Sequence, residues 1–158
     1  MSKFQFRLLA IIKLRERERD DAAEQYRKSL LAIEKLGQQI AELEAEIAQQ
    51  MQAQTEASQG HLSPDHILAA QRYQHRLSQQ IQSLQQTIAQ IEPERDRRRQ
   101  ILIKKEQDLK AIEKVQAKRL AEFTAAELAR EQAGLDQWAS LNHHTTGSRN
   151  SAANSING

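Results

Sequence analysis

From Met1 to about Ala57 the chain holds no proline and a single glycine, Gly37, while apolar residues return with a period close to 3.5. A stretch of this kind has one economical solution, an uninterrupted helix that buries a narrow seam. With Ile12 set as position a, the a sites are Ile12, Arg19, Tyr26, Ile33, Ile40 and Ile47. The d sites are Leu8, Arg15, Ala22, Ser29, Leu36, Leu43 and Gln50. Ile33 to Ile47 suits coiled-coil packing, whereas Arg15, Arg19 and Ser29 interrupt the seam, which is therefore expected to be weakly sealed in its first third. About 56 helical residues would span ~84 Å at 1.5 Å per residue, far beyond an ordinary globular helix.

The pattern breaks at Ala57-Ser-Gln-Gly-His-Leu-Ser-Pro-Asp65. Gly60 is suited to end the first helix in a left-handed conformation, Ser63 to cap the next, and Pro64 to take its first position, where a missing amide donor costs nothing. The second seam then alternates four and three through Leu77, Ile81, Leu84, Ile88, Ile91, Arg95, Arg98, Leu102, Lys105, Leu109, Ile112, Gln116, Arg119, Phe123 and Ala126. Pro93 removes one helical hydrogen bond, but the heptad phase continues across it, which predicts a kink rather than a new chain direction. The spacing predicts helices over about 2–57 and 65–138 and a turn over 58–64. The Asn, Ser, Thr and Gly tail, 142–158, has almost nothing to bury and reads as disordered.

Two helices joined by so short a connection must lie antiparallel for the second to bury its stripe. A turn centred near Gly60 sets Ile40 against Ile81, Leu36 against Leu84, Ile33 against Ile88, Ile12 against Leu109 and Leu8 against Ile112. The same register puts Ala22 opposite Arg98 and leaves Arg15 opposite Lys105 as a like-charge spot that must splay toward solvent. The second helix overshoots the first, leaving Leu120, Phe123, Leu128 and Trp138 in an overhang without an intrachain partner. The expected fold class is all-α: a long antiparallel two-helix coiled-coil hairpin, residues 1–141, with an overhanging second helix and a disordered C-terminal tail.

Composition narrows the function. Leu, Ile, Val and Phe together make up 34 of 158 residues, against 28% charged residues, which suits long helices and leaves little for a compact core. Cysteine is absent, so disulfides and thiolate chemistry are excluded. The aliphatic run Leu8 to Ile12 is far too short for a signal segment or a membrane span, and a cytoplasmic chain is expected. No phosphate-binding, dinucleotide, nucleophile-elbow or H-E-x-x-H pattern occurs, and two helices enclose no pocket in which a pKa could be tuned, so no enzyme and no cofactor are expected. Charge is uneven. Residues 34–56 carry five Glu and one Lys, net −4; residues 92–119 carry ten basic and six acidic groups, net +4; residues 1–20 carry six basic and three acidic, net +3.

The candidate sites are each weighed against a plainer role. His61, His66, His75, His143 and His144 make no i, i+4 pair and read as solvated rather than as metal ligands. Arg95-Asp-Arg-Arg-Arg99 with Lys104 and Lys105 spreads round its helix among acids and carries no aromatic platform, so a solvated or protein-binding face is favoured over nucleic acid. Arg15-Glu-Arg-Glu-Arg19 is a salt-laced exposed turn or a docking face for an acidic groove. Tyr73, one turn before Leu77, either packs near Ile47 or presents an exposed handle to a partner. Phe4 and Phe6 could staple the N-terminus to the second helix. Phe123 and Trp138 are expected to form a partner site.

The opening phrase Phe4-Gln-Phe-Arg-Leu8, then Ile12-Lys-Leu-Arg15-Glu16 with Ala22-Ala23 beyond it, resembles the start of the flagellar export protein family FliJ. So does Leu109-Lys-Ala-Ile112-Glu113-Lys114-Val-Gln-Ala-Lys118-Arg119, and the resemblance covers about residues 3–138. It implies a cytoplasmic component of the flagellar type III export apparatus, similar in shape to the central stalk of rotary ATPases, peripheral at the inner membrane. Implied partners are the hexameric export ATPase, the gate protein FlhA and export chaperones. The resemblance assigns Leu8, Ile12, Arg15, Arg17, Arg19, Ile112, Glu113 and Arg119 to the ATPase, and Tyr73 and Leu77 to the gate. Pro93 and the tail depart from the family pattern. The competing classes are the stalk protein of a virulence secretion system, a scaffold coiled coil that dimerises through its overhang, and a nucleic-acid-binding hairpin.

Overall fold

In the computed structural model, described over residues 2–60 and 63–153, the chain forms two helices, α1 (Ser2–Ala57) and α2 (Pro64–Ala153). Side chains are described over 7–60 and 63–144, so the stapling expected of Phe4 and Phe6, and His61, lie outside the described residues. The start of α2 follows its sequence signals. Ser63 accepts the amide of His66 on both its carbonyl, at 3.1 Å, and its hydroxyl, at 3.4 Å, and Pro64 opens the helix. The end of α1 does not. No glycine among the described residues has a positive φ, so the left-handed ending expected at Gly60 is not used. The last turn tightens instead, with the amides of Gln59 and Gly60 bonding the carbonyls of Glu56 and Ala57 at 3.4 and 3.0 Å.

The chain divides into two compact units, Met1–Leu109 and Lys110–Gly158. In the first, α1 packs along α2. Three cross-helix contacts fix the direction: Tyr73 reaches Glu46, Arg98 reaches Ser29 and Lys105 reaches Glu18. As α2 advances its partner on α1 recedes, so the pair is antiparallel, as the short connection requires. The residues turned inward reproduce the 3.5 repeat: Leu8, Ile12, Arg15, Ala22, Tyr26, Ser29, Ile33, Leu36, Ile40, Leu43 and Ile47 on α1 are buried or half-buried.

The polar section of the seam is satisfied by contacts that apolar matching did not include. Arg98 meets the Gln25 carbonyl and the Ser29 hydroxyl, at 2.9 and 3.3 Å, rather than Ala22. Lys105 is not left against Arg15, because Glu18 lies between them and binds both. These contacts set the cations of α2 against a carboxylate, a hydroxyl and a carbonyl, which relieves the like-charge spot.

The second unit continues α2 as a single helix to Ala153, beyond the Trp138 at which the sequence closes it. No proline follows Pro93, so nothing after Trp138 breaks the helix sterically, and Asn, Ser and Thr lower helix propensity by only about half a kcal/mol each. The helix also runs unbroken across Pro93. Among the described residues no helix is long and apolar enough to cross a membrane.

Candidate partner-binding surfaces

The N-terminal part of α1 is sorted by burial rather than by charge. Ile12 is 7% exposed and belongs to the seam, and Leu8 is half-buried beside it. Of the three arginines expected to dock a partner, Arg17 is exposed on the outer face, while Arg15 and Arg19 are half-buried. Arg15 donates to Glu18 at 2.9 Å and has its Nε buried without a hydrogen-bond partner, and Arg19 pairs with Asp20 at 2.8 Å. Arg7, Lys13 and Arg17 are thus the cations of this segment that face outward. The expected exposed, salt-laced turn is half of the seam.

Two residues outside the expected site organise this region. Glu18 accepts from Arg15 and, at 3.2 Å, from Lys105, and these two hydrogen bonds, Arg15 first, hold its carboxyl below the usual 4.5. Ser29, the most buried polar residue among the described residues at 3% exposed, donates to the Gln25 carbonyl at 3.1 Å and accepts from Arg98, whose Nε is bonded to Glu94 at 3.1 Å. Ser29 falls on a d site, and a small hydroxyl in the seam was the one sequence signal for the pair. The remaining cations of the 95–99 run are largely paired within it: Arg95 with Asp96 at 3.1 Å and Arg97 with Glu94 at 2.7 Å. Such internal pairing weakens the attraction this run offers to a phosphate backbone.

Nearer the turn, Leu77 is 5% exposed and closes the seam, and the half-buried Tyr73 gives its hydroxyl to Glu46 across the helices. That hydrogen bond, together with burial, raises the tyrosine above its usual 10.0. The Arg76 guanidinium lies 6.0 Å from the ring centroid. The plainer of the two readings of Tyr73, packing against α1 near Ile47, describes its contacts. Beside it, an open groove of about 440 Å³ between α1 and α2 is lined by Glu42 and Glu46 on one side and Gln80 and Ser83 on the other.

In the second unit Ile112 is half-buried, Glu113 and Arg119 are exposed, Phe123 is half-buried and Trp138 is exposed. Among the described residues no group of three His, Cys, Asp or Glu side chains could hold a metal ion. The described histidines are all exposed, and His66 is occupied with Ser63 at 2.9 Å.

Paired helices of this length, with recognition spread over surfaces, frame the comparison with known proteins. The family model described as "Flagellar FliJ protein" matches residues 4–148. Comparison with curated proteins and with solved structures gave no match. The match spans nearly the whole chain, so the chain belongs to the flagellar FliJ family and is a flagellar export-related protein.

Proposed function

We propose that the chain is a non-enzymatic stalk of the flagellar export apparatus, one that binds the hexameric export ATPase, promotes ring assembly and couples hydrolysis to the gate protein FlhA. The observation that carries this reading is the outward set Arg7, Lys13 and Arg17 on an α1 whose inner face is committed to α2. A stiff helix pair that presents cations can sit in the pore of a ring and touch successive subunits unequally, which couples ring state to stalk position without any catalytic residue in the stalk. Leu8, Ile12, Arg15 and Arg19 then support the docking face from the seam, and the family pattern adds Ile112, Glu113 and Arg119 of α2. The gate is assigned the outer surface around Tyr73 and Arg76, since Leu77 is buried. Export chaperones are further partners in this reading, and the chain works at the cytoplasmic face of the inner membrane.

The test is ATP hydrolysis by the cognate export ATPase with and without the purified chain. Stimulation is expected, with about one chain per hexamer, and the double substitution Lys13→Glu and Arg17→Glu should abolish most of it while leaving helix content unchanged, because both side chains face outward. Undiminished stimulation by the double variant would remove the outward cations as the docking face. No stimulation and no co-elution by the unaltered chain would remove the stalk reading.

A further inference from the structure

The second unit carries an apolar stripe. Leu120, Leu128, Leu135 and Trp138 are exposed, Leu135 and Trp138 to 66% each. At 100° per residue these four cluster on one side of α2, roughly 100° round from the half-buried Ile112, Gln116 and Phe123. They are therefore a separate face and not a continuation of the seam. Four large apolar side chains aligned in this way on a surface helix are characteristic of an interface.

The surrounding charge decides what fits there. Between 120 and 141 the helix carries Glu122, Glu127, Glu131 and Asp136, with Glu127 at the edge of the stripe and Glu131 within it, between Leu128 and Leu135. The one basic residue between 120 and 141, Arg130, is turned about 115° from the centre of the stripe and is bonded to Glu127 at 3.3 Å, so the acids of this segment outnumber its cations. A second copy of the chain is a poor occupant: antiparallel pairing about the middle of the stripe sets Glu131 against Glu127, and parallel pairing sets Glu127 and Glu131 against themselves. We propose that Leu120, Leu128, Leu135 and Trp138 form a docking face for an amphipathic helix of another protein, one whose apolar stripe is flanked by lysine or arginine. Trp138, at the C-terminal end of the stripe, is the anchor, as an exposed tryptophan beside leucines on a helix face. The face is small, so the complex is an exchangeable one. This site is independent of the stalk reading.

Trp138 is the sole tryptophan in the chain, so its fluorescence reports the face directly. The full chain is titrated with two synthetic helical peptides that share a leucine stripe, one flanked by lysines and one by glutamates. The lysine-flanked peptide should give a saturable blue shift that weakens with salt, with at least tenfold weaker binding in the Leu128→Gln, Leu135→Gln double variant, whose altered side chains are exposed and whose helicity is checked separately. Glu127→Lys with Glu131→Lys should reverse the preference between the peptides. Equal response to both peptides, or response to neither, overturns the proposal. So does a fluorescence shift that depends on protein concentration alone, with a dimer by light scattering, because the occupant is then a second copy.

Discussion

The turn-side half of the hairpin and its ionic middle hold together by different means. Between Leu36 and Ile47 on α1, and between Leu77 and Ile91 on α2, nearly every inward position is leucine or isoleucine, yet most stay half-exposed and only Leu77 is buried. In the ionic middle and the terminal end beyond it lie Ile12, Ala22, Ser29 and Leu109, all at 9% exposure or less. In that part of the seam the half-buried Arg15, Arg98 and Lys105 stand among the small Ala22 and Ser29, with long stems suited to cover apolar surface while their heads find partners. In a two-helix protein, chemical hydrophobicity and actual burial part company.

The largest effect that could break this contrast is at Leu77. Leu77→Asp should unfold the first unit, at a cost above about 3 kcal/mol, because the charge would be buried without a partner; Ile40→Asp and Ile81→Asp should cost less, since both sites are half-exposed. Thermal melting followed by circular dichroism measures all three, and equal melting temperatures for Leu77→Asp and the unaltered chain would refute the burial assignment. Arg98 tests the middle. Arg98→Ala should cost about 1–2 kcal/mol by removing both stem and hydrogen bonds, while Arg98→Met, keeping the stem, should recover roughly half. If methionine behaves as alanine does, the stem seals nothing.

Smaller effects sharpen the comparison. Gly37 is exposed with open space about it, so Gly37→Ala should raise stability by about 0.5–1 kcal/mol in denaturant titration. The smallest effect is Glu18. Its carboxyl titrates below 4.5 in the folded chain, so its contribution is present above that pH and is lost as the pH falls through the lower folded value. Glu18→Gln should flatten the acid limb of the stability curve below pH 4.5 and change little in high salt, where exposed pairs contribute least. An unchanged acid limb would mean that the Arg15 and Lys105 contacts do not hold in solution.

Much of this fold was legible in the sequence. The absence of proline before Pro64, the 3.5 repeat and the Ser63-Pro64 start determine the two helices and their antiparallel arrangement. The polar contacts were not, because a heptad pattern scores apolar matches and is blind to a carboxylate such as Glu18, one position off the seam, that can bind two cations. The ending at Gly60 was misread because glycine permits a left-handed turn without requiring one. The candidate surface at Arg15 to Arg19 was half legible: the cations are there, but the pattern could not say that Arg15 and Arg19 face inward and Arg17 outward.

The proposed stalk role requires a middle as firmly closed as the turn-side half, and hydrogen exchange resolved by peptide tests that directly. The amides of 18–29 and 95–105 should exchange as slowly as those of 36–47 and 77–91, because sealing by charged stems is equivalent here to sealing by leucine. Exchange in the middle faster by tenfold or more would contradict this, leaving two short apolar clamps joined by an open ionic stretch.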